Sequence, residues 1–275
     1  MRQSSVSRYV AAAVQMSSGP DRTRNLARAS ALVREAAARG ARLVVLPEVF
    51  AWRGPGDAEG PVAEPVPGPT TAALAALAHE LGLYLCGGSI LERVPGEARP
   101  YNTSCLFDPA GTLVARYRKV HLFDVDLPGR VTVRESATRA PGNEAVTAPT
   151  PLGTLGLSVC YDLRFPELYR TLVRTGAEIL LVPSAFTFPT GAAHWEVLCR
   201  ARAVENQCYL IAADQTGMSP HGFPDYGDSL IADPWGRVLA RAGDGEGVVT
   251  AEVDTAYIAR VRRELPCLDH VRLTA

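Results

Sequence analysis

The chain has 275 residues, of which 47% are hydrophobic and 21% are charged, a composition typical of globular enzymes. A formal net charge of −1 argues against nucleic acid or an anionic membrane as the main partner. No apolar run approaches the ~20 residues that a membrane-spanning helix requires. These properties exclude a strongly basic binding protein and a protein with a membrane-spanning helix.

The amino-terminal sequence and the cysteines bear on the compartment. Residues 1–5 lead straight into a strand-like run and lack the apolar segment of a secretory signal. Six cysteines are spread along the chain without a C-x-x-C pair, and the five histidines form no H-E-x-x-H motif. We therefore expect a cytoplasmic protein that uses no metal and no cofactor.

The first half of the chain alternates between strand and helix patterns. Residues 8–16 and 41–46 are short apolar runs that predict buried strands, and the second run is followed by Pro47 and Glu48. Asp21 is a suitable N-cap for a helix that ends at Gly40. The remaining predictions are a Pro- and Gly-rich loop over 53–69, a helix over 70–82, a strand over 83–91, and hairpin strands over 101–107 and 113–118.

The second half repeats this alternation. A strand over 155–159 delivers Cys160, and a helix is expected to begin at Pro166 and to stop at Gly176. Such a mixture of alternating units and hairpins predicts an α/β protein whose sheets are covered by helices. The further predicted elements are strands over 178–182, 208–213, 229–232, 238–240 and 248–253, and helices over 194–206 and 255–264.

Glu48, Lys119 and Cys160 each follow the carboxyl end of a predicted strand. In α/β sheets this is the edge at which ligand sites form. Lys119 is also the single lysine among 28 basic residues, the other 27 being arginine. Codon bias accounts for the arginines, but a compact ammonium that can give up a proton is a group that arginine cannot replace.

These three residue types form a nucleophile, a cation and a proton carrier. A nearby cation or base activates a cysteine for attack on a carbonyl carbon. Lys119, with the backbone N–H of Tyr161, could hold the resulting oxyanion, while Glu48 moves the proton. Taken alone, each residue also has a structural explanation: an inert buried thiol, a solvated or capping glutamate, and an edge-strand lysine.

Three segments resemble the signature regions of the nitrilase superfamily of carbon–nitrogen hydrolases. They are LVVLPE ending at Glu48, YRKVHLFD around Lys119, and GLSVCYDLRFPEL around Cys160. The resemblance runs from about residue 10 to residue 265. It implies a general base at Glu48, a proton donor and oxyanion stabiliser at Lys119, a nucleophile at Cys160, and a supporting acid that orients the lysine at Glu135.

The same resemblance implies a fold and an assembly. The expected fold is a four-layer α-β-β-α sandwich, formed by one domain over residues 1–275 with a core of about 8–265. Subunits are expected to pair into a homodimer or a higher homo-oligomer. The candidates for substrate binding are Tyr161, Arg164, Phe186 and His194.

The residues around the site narrow the activity. Cys-Tyr-Asp replaces the Cys-Trp-Glu of true nitrilases, so nitrile hydrolysis is disfavoured. Pro-Ser-Ala-Phe (183–186) and Glu-Asn-Gln-Cys-Tyr (205–209) resemble the Nit branch. That branch contains ω-amidases of α-keto acid amides and deaminated glutathione amidases. The two segments resemble those of the deaminated glutathione amidases more. The predicted reaction is hydrolysis of a small linear carboxamide to a carboxylic acid and ammonia through a cysteine thioester.

The substrate's own carboxylate would need a cation, for which Arg164 is the candidate. Its structural alternative is an ion pair with Glu167. Two departures from the family pattern, Asp214 and Asp228, are expected to add negative charge at the pocket mouth and to weaken binding of an anion.

Three other functions remain open at this stage. They are hydrolysis of an N-carbamoyl amine, an idle scaffold of the same fold, and a redox sensor built on Cys160. The loops over 53–69 and 215–226 are the expected rim of the pocket.

Overall fold

The computed structural model describes residues 7–273. Residues 1–5, from which the lack of a secretory signal was argued, lie outside the described residues, as do the outer limits of the expected 1–275 domain. None of the helices between residues 7 and 273 has the length and apolar character needed to cross a bilayer.

Seventeen strands lie within residues 7–273. Their bounds are β1 (Arg8–Gln15), β2 (Ala41–Val45), β3 (Tyr84–Cys86), β4 (Ile90–Glu92), β5 (Tyr101–Phe107), β6 (Leu113–Arg118), β7 (Asp124–Leu127), β8 (Val131–Arg134), β9 (Val146–Thr150), β10 (Gly153–Leu157), β11 (Ile179–Ser184), β12 (Tyr209–Asp214), β13 (Thr216–Met218), β14 (Pro224–Tyr226), β15 (Leu230–Ala232), β16 (Val238–Arg241) and β17 (Gly247–Asp254).

The same described segment contains seven α-helices and two short 3-10 turns. The helices are α1 (Arg22–Ala38), α2 (Glu59–Val62), α3 (Pro69–Leu81), α4 (Glu135–Thr138), α5 (Pro166–Arg174), α6 (Phe188–Asn206) and α7 (Thr255–Glu264). The 3-10 turns are Gly56–Ala58 and Cys160–Arg164.

Two large sheets make up the centre of the molecule. The first has the strand order β17-β1-β2-β3-β5-β4, with β6 also paired to β5. The second has the order β16-β15-β12-β11-β10-β9. In each sheet the central strands are parallel, β1-β2-β3 in the first and β10-β11-β12 in the second. Two hairpins, β7-β8 and β13-β14, lie outside these sheets.

Alternation of side chains along β1 shows how the layers stack. Ala11 and Ala13 pack in a core shared with β10, β11 and β12 of the second sheet. Ala12 and Val14, on the opposite face, pack with buried residues of α1 and α3. Because successive residues of a strand point to opposite faces, β1 is covered on both sides. Helices α5 and α6 contribute to the core of the second sheet, so the layers are α-β-β-α, as expected.

Several predicted boundaries are confirmed by the structure. The Asp21 side chain accepts a hydrogen bond from the Arg24 backbone N–H at 3.0 Å and caps α1. Helix α5 begins at Pro166, and α7 has the predicted bounds. The helix expected from residue 194 begins earlier, at Phe188, because Pro189 suits a first helical turn.

Other boundaries were predicted wrongly, and some elements were not predicted. The segment 53–69 is not all loop, since it contains a 3-10 turn and α2. The sequence analysis gave no elements for the hairpins β7-β8 and β13-β14 or for β9. The strand expected over 83–91 is two strands, interrupted at Gly87 and Gly88.

Gly88 explains why that strand breaks beside the site. Its φ is +57°, a conformation that side chains with a Cβ rarely adopt. A Cβ at this position would lie 2.0 Å from the Pro47 carbonyl oxygen. The tight approach of Gly88 to Pro47 therefore fixes the chain immediately before Glu48.

We expect Gly88→Ala to destabilise the protein by more than the about 1–2 kcal/mol that a left-handed alanine costs, because the added methyl group also displaces Pro47. Gly82→Ala is the matched control: its φ is +63°, but no atom lies within 4 Å of the added Cβ. Urea unfolding of both variants measures the difference. Equal midpoints would contradict a specific role for the contact with Pro47.

Candidate active site

Glu48, Lys119 and Cys160 converge at one edge of the two sheets. Glu48 follows β2, Lys119 follows β6 directly, and Cys160 follows β10. All three residues are at most 6% exposed and line one cavity of about 570 Å³. The convergence expected from strand ends is therefore present in the structure.

Lys119 lies between two carboxylates. Its Nζ is 2.8 Å from Glu48 Oε1 and 2.8 Å from Glu135 Oε2. Burial alone would lower the pKa of Lys119, but Glu135 and Glu48 outweigh it and raise that pKa above its ordinary value. Burial would raise the pKa of Glu135, yet Lys119 and Arg139 lower it to about 2. The lysine is thus an ammonium and Glu135 an anion throughout the neutral pH range.

Asn102 joins the two carboxylates from the other side. Its Nδ2 donates to Glu48 Oε1 at 2.7 Å and to Glu135 Oε1 at 3.2 Å. The backbone carbonyl of Asn102 also accepts the N–H of Lys119 at 2.8 Å. One residue of β5 therefore contacts three members of the cluster, two through its side chain and Lys119 through its backbone. The sequence analysis missed it, since an asparagine within a strand carries no distinctive signal.

Cys160 occupies a sharp turn between β10 and α5. Its φ is +51°, an unfavourable conformation for a residue with a side chain. Burial raises the pKa of the Cys160 thiol well above its ordinary value, and the Glu48 carboxylate raises it further. Lys119 acts in the opposite direction and lowers that pKa. The raised pKa favours the protonated thiol, so an attack by its sulfur would require a base nearby.

The Asp162 carboxylate links the cysteine turn to the lysine segment. Its Oδ2 accepts the Tyr117 hydroxyl at 2.6 Å and the Val159 backbone N–H at 2.8 Å. Its Oδ1 accepts the His121 backbone N–H at 3.1 Å and lies 2.8 Å from the His121 ring. Because Asp162 is fully buried, these contacts hold the segments around Cys160 and Lys119 together.

The backbone of Glu48 is held by the second sheet. Its N–H donates to the Ser184 carbonyl at 3.2 Å, and its carbonyl accepts the Gln215 side chain at 2.9 Å. The next residue, Val49, has a φ of +45°, and its N–H donates to Ser89 Oγ at 2.9 Å. Positive φ at a β-branched residue is strained, so neighbouring contacts maintain this conformation.

Three of the four predicted substrate-binding residues lie beside the cysteine. Tyr161, Arg164 and Phe186 line a small hollow that also includes Cys160. The Arg164 guanidinium lies 5.7 Å from the Tyr161 ring centre and 5.4 Å from that of Phe186. No carboxylate of the described chain, Glu167 included, forms an ion pair with Arg164.

The fourth residue, His194, lies farther from the cysteine than the other three. It is exposed on α6 and lines neither the cavity nor the small hollow. Its Nδ1 lies 3.2 Å from Arg164 Nη1. From the exposed face of α6, the histidine therefore contacts Arg164 and not the cavity itself.

The expectation for Asp214 and Asp228 was also wrong, since neither residue lines the cavity or the hollow. Asp214 is fully buried and accepts the Phe186 N–H at 2.9 Å. Burial raises the pKa of Asp214 well above its ordinary value, so it contributes little negative charge. The Asp228 carboxylate instead pairs with Arg241 at 3.4 Å.

The cavity rim comes from three segments. Residues from 53–59 and 221–223 line it, in agreement with the two rim loops predicted from the sequence. The hairpin β7-β8 contributes a third segment, residues 130–134, which the sequence analysis missed. The sequence feature that indicates this hairpin is Pro128-Gly129 between two short alternating runs.

No group of three or more His, Cys, Asp or Glu within residues 7–273 is arranged to hold a metal ion.

Comparison with known proteins shows the family of the chain. The profile of the Carbon-nitrogen hydrolase family matches residues 10–263. The chain belongs to the carbon–nitrogen hydrolase family. It is accordingly a hydrolase that acts on carbon–nitrogen bonds other than peptide bonds, as the sequence motifs predicted.

Individual relatives of this hydrolase support the Nit-branch resemblance. The chain is 42% identical to omega-amidase NIT2 of Homo sapiens over 93% of its length and 92% of that protein. It is 43% identical to deaminated glutathione amidase of Bos taurus over 95% of its length and 81% of that protein. The crystal structure of Saccharomyces cerevisiae Nit3, a member of branch 10 of the nitrilase superfamily, has a TM-score of 0.87 and 35% identity, covering 96% of each chain.

We expect Asp162→Asn to destabilise this hydrolase by about 2–3 kcal/mol, because an amide cannot replace a carboxylate that accepts from four donors. The exposed Asp126, in the rim hairpin, supplies the control Asp126→Asn, which should change stability by less than about 0.5 kcal/mol. Thermal unfolding and ammonia release report the two effects. An Asp162→Asn protein with wild-type stability and rate would show that the link between the segments is dispensable.

Proposed function

We propose that the protein hydrolyses a small linear carboxamide that carries a carboxylate, the class that includes ω-amides of α-keto acids and deaminated glutathione. The observation that carries this proposal is the buried Glu48–Lys119–Glu135 cluster facing Cys160 in one cavity. The proposed steps run through a thioester on Cys160.

In the first step, Cys160 Sγ attacks the amide carbon while Glu48 takes the thiol proton. The raised pKa of the thiol supports this coupling, because a free thiolate is not stable in the buried site. The amide oxygen gains the negative charge. The Lys119 ammonium has three N–H groups, and Glu48 and Glu135 use two of them. Since no third acceptor occurs within residues 7–273, one donor is available for the oxyanion.

In the second step, Glu48 delivers its proton to the nitrogen, the carbon–nitrogen bond breaks, and ammonia leaves. The acyl group is then bound to Cys160 as a thioester. Glu48, again a carboxylate, takes a proton from water while the water oxygen attacks the thioester carbon. Collapse of that intermediate releases the carboxylic acid, and the proton returns to Cys160. Throughout, Glu135 remains ionised and keeps Lys119 in place.

Unpaired cations favour a substrate that carries a carboxylate. Arg130 and Arg134 line the cavity, and Arg164 lines the adjoining hollow. None of these three arginines forms an ion pair with a carboxylate of residues 7–273. A cavity of about 570 Å³ also suits a small molecule. The two relatives named above, an omega-amidase and a deaminated glutathione amidase, act on substrates of this class by their names.

The alternatives have less support. A redox sensor requires a thiolate, whereas burial and Glu48 raise the pKa of the Cys160 thiol. An idle scaffold does not account for an intact cluster of buried charges around the cysteine. N-carbamoyl amine hydrolysis uses the same groups and is separated only by the choice of substrate.

We also propose a single domain over residues 1–275 that works as a homodimer in the cytoplasm. Exposed apolar side chains on and beside α6, namely Val197, Val204 and Trp235, support self-association. All six cysteines are free thiols, which favours a reducing compartment.

A substrate screen tests the proposed reaction. We expect ammonia release from ω-amides of α-keto dicarboxylates or from deaminated glutathione. The kcat/KM should be about 10- to 100-fold higher than for an uncharged amide of equal length, because an ion pair to the carboxylate is lost in the latter. Cys160→Ala is the control and should fold normally but form no acyl adduct by intact mass. Turnover of N-carbamoyl amino acids alone would favour the rival reaction, and no turnover at all would exclude the amidase proposal.

Lys119→Arg should lower kcat by about 10²-fold or more although it keeps the charge. The planar fork cannot occupy the space of an ammonium and still leave a donor for the oxyanion. Arg116→Lys, which makes the reverse exchange on β6 and outside the cavity, is the control and should keep the wild-type rate. Steady-state rates on the best substrate of the screen measure both. A fully active Lys119→Arg enzyme would mean that charge alone suffices.

A further inference from the structure

Glu59 and Arg139 form a buried ion pair outside the cluster used in the proposed reaction. Arg139 Nη2 lies 2.6 Å from Glu59 Oε1, and Arg139 Nε lies 3.0 Å from Glu59 Oε2. The Arg139 side chain is 12% exposed, and the Glu59 side chain is 5% exposed. This two-point geometry uses two of the three nitrogens of the guanidinium.

The third nitrogen of Arg139 reaches the reacting cluster. Its Nη1 lies 2.7 Å from Glu135 Oε1, while the other oxygen of Glu135 binds Lys119. Five side chains, four of them buried and Arg139 largely so, therefore form one series of alternating charge: Glu59, Arg139, Glu135, Lys119 and Glu48. Glu135 has no freedom to leave Lys119 without breaking its contact with Arg139.

Glu59, at the opposite end of this series from Glu48, lies in the cavity rim. Glu59 is the first residue of α2, a helix of only four residues, and itself lines the cavity. Such a short helix has little stability of its own, so its place depends on tertiary contacts. The ion pair with Arg139 connects α2 to the residue that holds Lys119. Neither Glu59 nor Arg139 contacts Cys160. We therefore look for their role in the positions of other residues and not in the reaction itself.

We propose that Arg139 is a positioning residue that fixes Glu135 against Lys119, and that Glu59 fastens the rim helix α2 to this arginine. The inference rests on the amidase reaction proposed above. A purely structural ion pair would change stability alone. Positioning instead predicts separate kinetic effects for the two ends of the pair, kcat at the Glu135 end and KM at the rim end.

Three variants separate these effects. Arg139→Gln should lower kcat by about 10- to 100-fold, because Glu135 and Lys119 lose their fixed position. Glu59→Gln keeps the contact between Arg139 and Glu135, so it should raise KM about fivefold with little change in kcat. Arg139→Lys should recover most of kcat, since an ammonium can still pair with Glu135. Its KM should stay high, because it cannot span both carboxylates.

A control and a second measurement make the result independent of turnover. Arg237→Gln breaks an arginine pair with the buried Asp233 in the turn before β16, away from the cavity, and should leave kcat and KM unchanged. Hydrogen–deuterium exchange follows two peptides. One covers residues 56–66 of the rim, and the other contains Phe123, whose N–H donates to Glu135 Oε2 at 2.7 Å.

Exchange should accelerate in both peptides for Arg139→Gln, in the rim peptide alone for Glu59→Gln, and in neither for Arg237→Gln. Unchanged exchange in Arg139→Gln would overturn the proposal, as would a loss of kcat that merely follows the unfolded fraction. If the wild-type protein releases no ammonia from any amide, the proposed function fails. The exchange pattern then decides by itself whether Arg139 connects the rim to Glu135.

Discussion

The buried ammonium of Lys119, held between Glu48 and Glu135, is the constraint on which the site depends. A charge removed from water is tolerated only when partners surround it closely, and here two carboxylates lie at 2.8 Å. Removing either carboxylate leaves the ammonium with one close partner instead of two, in a cavity that a substrate must also enter. The three segments that carry these residues therefore need fixed positions relative to one another.

The fold meets this requirement with contacts between segments rather than within them. Asp162 joins the cysteine turn to the lysine segment, and Ser184 and Gln215 hold the backbone of Glu48 from the second sheet. With its segments held in this way, the site can keep unfavourable conformations at Val49 and Cys160. Val49 lies next to the proposed base, and Cys160 is itself the proposed nucleophile. Strain at these two positions is consistent with a preorganised reaction site.

The sequence was sufficient for the parts of the site that follow strand ends. Glu48, Lys119 and Cys160 could be placed together because each follows the carboxyl end of a strand, the position at which ligand sites form in α/β proteins, although β6, before Lys119, is antiparallel to β5. Asn102, Asp162 and the pair of Glu59 and Arg139 could not be found, since their role depends on contacts between segments far apart in sequence. Asp214 and Asp228 were misplaced for a related reason: position along the chain does not fix side-chain direction, and both turn away from the cavity.

The two glutamates of the cluster share one lysine but differ in their other partners. Glu135 also binds Arg139 and accepts the Phe123 N–H, and the two cations lower its pKa to about 2. Glu48 has Lys119 as its single cationic partner within residues 7–273, and its carboxylate faces the thiol of Cys160. The two cations keep the Glu135 carboxylate ionised and beside Lys119. This difference in partners supports the proposal that Glu48, rather than Glu135, moves the protons.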